Sequence, residues 1–245
     1  MNIAVIFAGG VGSRMNSKSL PKQFLSIHGK PIIIHTLEKF EHNERIDGIV
    51  VACVESWMEY LQDLIDTYGI TKVKKIVSGG ATGQLSIYNG LCAASELTHS
   101  NDSVVLIHDG VRPFITSKLI NDNIDSVVEH GSAITSVAAK ETVLMLSGEG
   151  NKITNIPDRS ATRLARAPQS FYLKDILEAH RKVLDEGLDN FIDSCSLMQY
   201  CGHDLYLVDG PMENIKITTP EDFYTMRALL DAKENEQIYG VDIDE

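Results

Sequence analysis

The sequence predicts an α/β fold: a doubly wound, mostly parallel sheet with one projecting β-arm. Three observations lead there. Short runs rich in Val and Ile recur, amphipathic stretches of helical length lie between them, and the alternation breaks once, after Val137. The runs at residues 3–7, 48–53, 73–77, 104–108 and 133–137 read as buried parallel strands, whose two faces are both covered by helices. The intervening stretches, 31–40, 56–68, 81–97 and 118–129, complete right-handed βαβ units. In such a sheet, ligands bind beyond the carboxyl ends of the strands.

After Val137 the pattern changes. Residues 140–168 carry charge, Gly, Asn and Pro, with β-like pieces at 142–146 and 152–156 around Ser147-Gly148-Glu149-Gly150-Asn151. This predicts a hairpin arm. The rhythm then resumes with a helix at 173–184, a helix near 193–200, a strand at 205–208 and a last helix over 220–233. Thr219 is the predicted N-cap of that helix, with Pro220 in its first position. Residues 1–235 therefore read as one domain with 140–168 as its arm, and 236–245 as an acidic tail.

Composition narrows the function. The chain has 245 residues, 43% hydrophobic and 23% charged, which excludes disordered and fibrous classes. Its 34 acids against 22 bases give a net charge of −12, the wrong sign for sequence-independent nucleic-acid binding. An anionic substrate then needs cations concentrated locally. Cys53, Cys92, Cys195 and Cys201 form no CxxC pair and no disulfide framework. No apolar run approaches 18 residues, and the N-terminus lacks a basic leader. The expectation is a reduced cytoplasmic protein with no membrane and no nucleic-acid partner.

Four segments carry candidate chemistry. Ala8-Gly9-Gly10-Val11-Gly12-Ser13-Arg14-Met15, followed by Pro21-Lys22, lets backbone N–H groups wrap an anion between two cations, Arg14 and Lys22. The glycines alone also fit a tight strand-to-helix turn; the two cations favour a triphosphate. Met15 breaks a dinucleotide fingerprint, and no Gly-Lys-Ser/Thr P-loop is present. His108-Asp109-Gly110-Val111-Arg112 places a carboxylate at a strand end, suited to Mg²⁺, and an arginine suited to phosphate; the two also fit a mutual pair that shapes a turn. His108 reads as structural. Gly79-Gly80-Ala81-Thr82-Gly83-Gln84-Leu85-Ser86 fits a base-reading loop or equally a loop before a capped helix, and Lys216 sits on a predicted strand in Asn214-Ile215-Lys216-Ile217-Thr218. No Ser/His/Asp order, HExxH or partnered cysteine nucleophile appears.

The ordered set AGGVGSRM, PKQF, GG-x5-S, HDGVRPF, Pro157-Asp158-Arg159, Ala167-Pro168-Gln169 and NIKITTPEDF resembles the bacterial cytidylyltransferases that make CDP-activated polyols. Two branches are ribitol-5-phosphate and 2-C-methyl-D-erythritol 4-phosphate cytidylyltransferases, and the resemblance covers nearly the whole chain. It implies a Rossmann-like nucleotidyltransferase fold and a homodimer whose arms complete each other's sites. It further implies that Gly10, Gly12, Arg14 and Lys22 hold the triphosphate and that Ala8, Gly9, Gly80 and Ser86 surround the cytosine. Asp109 would serve Mg²⁺ and the reacting phosphates, while Arg112, Lys216 and the partner arm's Thr142 and Arg159 contact the polyol phosphate. Arg14, Lys22, Lys216 and Asp109 are the catalytic candidates. Ala8-Gly9-Gly10, Ala81 and Ile192-Asp193-Ser194-Cys195 resemble the ribitol branch, whereas Ala167 follows neither pattern. The implied reaction joins CTP and D-ribitol 5-phosphate into CDP-ribitol and pyrophosphate, with methylerythritol phosphate as the alternative acceptor. The other classes considered are an idle CTP-binding protein and a dinucleotide-dependent dehydrogenase.

Overall fold

Seven strands form the central sheet of the computed structural model, which describes residues 1–9, 20–148 and 150–239. In chain order the elements begin with β1 (Asn2–Ala8), the short pair β2 (Ser26–Ile27) and β3 (Lys30–Pro31), α1 (Ile32–Glu41), β4 (Gly48–Cys53), α2 (Met58–Thr67) and β5 (Val73–Ser78). Next come α3 (Gly83–Ser95), β6 (Val104–Asp109), α4 (Ser117–His130) and β7 (Ser132–Ala138). The arm pairs β8 (Met145–Leu146) with β9 (Ile153–Asn155), and β10 (Arg163–Tyr172), α5 (Leu173–Asp185), α6 (Ser194–Tyr200), β11 (Leu207–Asp209) and α7 (Pro220–Tyr239) complete the chain. The spatial order is β11-β7-β10-β6-β1-β4-β5, parallel except for β10, which runs antiparallel to both β6 and β7.

Strand periodicity explains the double winding, because successive side chains point to opposite faces. Ala4, Ile6 and Ala8 of β1, with Val104 and Leu106 of β6, pack against α1, α2 and α4. Ile3 and Val5, with Val105 and Ile107, pack against α3, α5 and α6. All of these side chains are buried. A third, smaller cluster joins Val111 and Phe114 to Ile217 and Met226, and it seats segment 214–218 and α7 beside the β6 loop.

Three predicted boundaries differ. The arm ends before Arg163, since β10 belongs to the sheet; Arg163-Leu164-Ala165-Arg166-Ala167-Pro168 has no strand pattern of its own and is held by its neighbours. Segment 214–218 is not a strand, although Ile217 N–H donates to the Val111 carbonyl oxygen at 2.9 Å. Helix α7 continues through Tyr239, into what the sequence suggested as a tail; residues 240–245 lie outside the described set. The predicted cap holds: Thr219 Oγ1 accepts from Asp222 N–H at 3.4 Å, and the Asp222 carboxylate accepts from Thr219 N–H at 2.9 Å.

Candidate active site

The carboxyl ends of β5, β4, β1 and β6 lie side by side and deliver the loops singled out above. Gly79 N–H donates to the Cys53 carbonyl oxygen at 2.7 Å, which ties the β5 loop to β4. Ser86 then holds that loop closed: its hydroxyl accepts from Gly80 N–H at 3.0 Å and donates to the Thr82 carbonyl oxygen at 2.9 Å. Thr82 caps α3 by accepting from Leu85 N–H. A Cβ on Gly9 would stand 3.0 Å from Ser86 Oγ, and one on Gly80 would stand 2.3 Å from Leu85 Cβ. Close backbone approach therefore requires glycine at Gly80, and at Gly9 a side chain would crowd the Ser86 hydroxyl. The structure thus brings Ala8, Gly9, Gly80 and Ser86 together, with the Ser86 hydroxyl bonded to the loop backbone.

Lys22 opens a 3₁₀ turn, Lys22–Phe24, beside the end of β1. Gln23 fixes that turn, since its buried side-chain amide donates to the Ala8 carbonyl oxygen at 2.8 Å. Phe24 anchors it from below, with ring centroids 5.4 Å from Trp57 and 5.2 Å from Tyr60. Gln23 was not singled out from the sequence, because a glutamine beside a lysine carries no signal there. Gly10, Gly12 and Arg14 lie outside the described residues.

Asp109 ends β6 and is 4% exposed. Its Oδ2 accepts from Arg112 Nε at 3.1 Å, and its Oδ1 forms an ion pair with Lys216 Nζ at 2.5 Å. Burial alone would raise its pKa, yet Lys216 and Arg112 outweigh that and hold it at about 2. The mutual Asp109–Arg112 pair weighed from the sequence is thus real, and Lys216 joins it. Arg112 Nη1 also donates to the Asn214 carbonyl oxygen at 2.7 Å, and the fully buried Asn214 amide donates to the Ala167 carbonyl oxygen at 2.8 Å. This chain of bonds locks the β6 loop, segment 214–218 and β10 together. His108 serves it too: its Nε2 lies 3.0 Å from the Arg112 carbonyl oxygen, where only an N–H can donate. Burial lowers the His108 pKa to about 4, so it is neutral near pH 7 and acts as the structural residue expected.

A cleft of about 240 Å³ opens beside this cluster. Asp109, Arg112 and Lys216 line one side, and Arg166, Asp193 and His180 line others. His180 is 1% exposed and stacks on Tyr88 with ring centroids 5.7 Å apart. Neither of its ring nitrogens has a hydrogen-bond partner among the described residues, and burial lowers its pKa to about 4. Gln169 orients the far wall: its amide donates to Asp193 Oδ2 at 2.9 Å and accepts from Cys195 N–H at 2.8 Å. Thr142 and Arg159 are exposed on the arm and are not among the residues lining this cleft; Arg159 Nη1 reaches the Lys140 carbonyl oxygen.

The family model for 2-C-methyl-D-erythritol 4-phosphate cytidylyltransferase (IspD) matches residues 2–232. The chain belongs to this family. It is accordingly a nucleotidyltransferase of the cytidylyl class. The chain is 56% identical to a ribitol-5-phosphate cytidylyltransferase of Streptococcus agalactiae serotype V, over 98% of this chain and 100% of that protein. It is 42% identical to a 2-C-methyl-D-erythritol 4-phosphate cytidylyltransferase of Clostridium botulinum, over 94% and 97%. Among solved structures, the 4-diphosphocytidyl-2C-methyl-D-erythritol synthase of Anaerococcus prevotii superposes with a TM-score of 0.80 at 27% identity, covering 94% of this chain and 96% of that one. The IspD-family fold agrees with the doubly wound sheet read from the sequence. No helix among the described residues is long and apolar enough to cross a membrane.

Proposed function

We propose that the protein transfers the cytidylyl group of CTP to D-ribitol 5-phosphate, giving CDP-ribitol and pyrophosphate. The observation that carries this reading is the Asp109–Arg112–Lys216 cluster, which stands between the glycine loops of β1 and β5 and the cleft beside β10. Nucleotide and acceptor phosphate meet there. The 56% identity to a ribitol-5-phosphate enzyme, against 42% to a methylerythritol one, favours ribitol over the alternative acceptor.

An oxygen of the acceptor phosphate attacks the α-phosphorus of CTP in line. One P–O bond forms, the bond to the β-phosphate oxygen breaks, and its electron pair leaves with pyrophosphate. The attacking oxygen is already anionic at pH 7, so no general base is needed. That agrees with a neutral His108 and with the lack of any nucleophile–base pair in the sequence. Catalysis comes from positioning and charge neutralisation. Gly10, Gly12, Arg14 and Lys22 hold the triphosphate, and Ala8, Gly9, Gly80 and Ser86 hold the cytosine. Lys216 and Arg112 take the charge that develops between the phosphates.

Asp109 fits Mg²⁺: its pKa of about 2 keeps it a hard, fully ionised oxygen donor at a strand end. It is the ligand this chain would offer, with substrate phosphates supplying further oxygens. The bound ion would neutralise triphosphate charge. It would share the Asp109 carboxylate with Lys216 and Arg112.

Thr142 and Arg159 act on the other subunit's acceptor in a homodimer that exchanges arms. The arm supports this: Leu144, Met145, Leu146, Ile153 and Ile156 are each 47–57% exposed. The rest of the described chain leaves them uncovered. The cytoplasm suits four free cysteines. The test is pyrophosphate release from CTP with Mg²⁺ and each polyol phosphate. Turnover with ribitol 5-phosphate supports the reading, and its absence with every polyol phosphate overturns it.

A further inference from the structure

The register of β10 against β7 slips between Ala165 and Gln169. Ala165 pairs with Ser136 and Gln169 with Ile134, so residues 166–168 stand opposite Thr135 alone. A bulge of this kind interrupts the ladder and re-aims a side chain, often beside an active site. Here it carries Arg166 into the lining of the cleft, between two alanines that take little room, Ala165 and Ala167. Arg166 is half-buried and has no hydrogen-bond or ion-pair partner among the described residues.

Arg112, on the same cleft, is committed on several sides: Nε and Nη2 face Asp109 Oδ2, and Nη1 donates to the Asn214 carbonyl oxygen. Arg166 lies near enough to Arg112 for the two positive charges to oppose each other, and that repulsion adds to burial in lowering its pKa. Two guanidinium groups converging on one cleft, one without a counter-ion, is an arrangement that an anion completes. The position also selects the anion. The glycine loops of the nucleotide side belong to β1 and β5, whereas β10 lies on the other side of β6.

We propose that Arg166 is a binding residue for the phosphate monoester of the acceptor, gripping it opposite Lys216 and fixing the attacking oxygen. This rests on the cytidylyl-transfer reading and adds a residue to it. Its planar fork takes two phosphate oxygens at once, which a lysine cannot reproduce.

The experiment compares wild type with Arg166→Gln and Arg166→Lys, each first shown to melt like wild type. Expected is a rise in KM for ribitol 5-phosphate of about 10- to 100-fold in Arg166→Gln, the usual scale for losing a charge-assisted bidentate contact. Arg166→Lys should recover part of that rise, and KM for CTP should stay within about twofold of wild type. Calorimetric binding of ribitol 5-phosphate should weaken in the same order, which reads the contact without turnover. Unchanged acceptor KM and binding would overturn the inference. An equal rise for CTP would assign Arg166 to the triphosphate instead, and a weakened dimer with normal KM would assign it to the partner's arm; either result also overturns it. Failure of the transfer reading itself shows separately, as a wild-type protein that releases no pyrophosphate.

Discussion

Replacing His180 with leucine should flatten the acid limb of the stability profile. The imidazole is 1% exposed, neither ring nitrogen has a partner among the described residues, and burial lowers its pKa from 6.5 to about 4. Because the native pKa lies below the unfolded one, the unfolded chain binds more protons between those values. The stability contribution is therefore complete above about pH 6.5 and is lost as the pH falls towards 4. For that shift, one proton costs about 2 kcal/mol of stability at pH 5 and almost nothing at pH 7.5. His108, with the same lowered pKa, contributes equally to both proteins and cancels. Leucine has a similar volume, forfeits the Tyr88 stack and removes two unpaired polar atoms, each of which costs about 1–3 kcal/mol when buried. Urea unfolding of wild type and His180→Leu at pH 7.5 and pH 5 measures the difference. The variant should be at least as stable at pH 7.5 and should lose about 2 kcal/mol less on acidification. Equal losses in the two proteins would show that His180 is protonated as readily in the fold as outside it, and would refute the reasoning.

Gly80→Ala places a methyl group 2.3 Å from Leu85 Cβ. It should cost about 1–3 kcal/mol in urea unfolding and weaken CTP binding while leaving the acceptor KM unchanged. Asp109→Asn keeps the shape but not the charge, so turnover should fall at least about tenfold, equivalent to about 1.4 kcal/mol at the transition state. Its Mg²⁺ titration should flatten, and an unchanged titration would remove Asp109 from the metal role. Lys22→Ala and Arg159→Ala should each cut turnover by about 10²–10³, the usual scale for one oriented group at a developing charge. Mixed after subunit exchange, the two should recover up to about a quarter of wild-type activity, because half the dimers then hold one intact centre; no recovery would place Arg159 outside a shared site.

What the sequence makes legible follows from how much each residue says by itself. The strands β1, β4, β6 and β7 are buried along most of their length, and β5, half-buried at the sheet edge, keeps Val73, Ile76 and Val77, so all five positions are readable within a residue or so. Asp109 and Arg112 stand out as charges at and just after a strand end, Lys22 as a cation following the glycine loop and Lys216 as a lone cation among apolar neighbours, and the structure gathers Asp109, Arg112 and Lys216 into one cluster. Strand β10 was hidden because Arg, Ala and Pro dominate its first half. Pro168 is tolerated there since it lies in the bulge, where no ladder bond is lost. Gln23, Asn214 and Gln169 were missed as positioning residues for a different reason. Each acts through one amide reaching a backbone or carboxylate distant in sequence, and no local pattern records such a bond. His180 and Arg166 were missed because each lies in a stretch that otherwise reads as ordinary helix or arm.

The most direct measurement supplies CTP, Mg²⁺ and equal amounts of ribitol 5-phosphate and 2-C-methyl-D-erythritol 4-phosphate in one reaction, and resolves the products by ³¹P NMR and mass spectrometry. Cytidylyl transfer to ribitol 5-phosphate predicts CDP-ribitol as the dominant product, formed one-for-one with pyrophosphate. A dominant CDP-methylerythritol product, or CTP consumed with neither diphosphate formed, would contradict it.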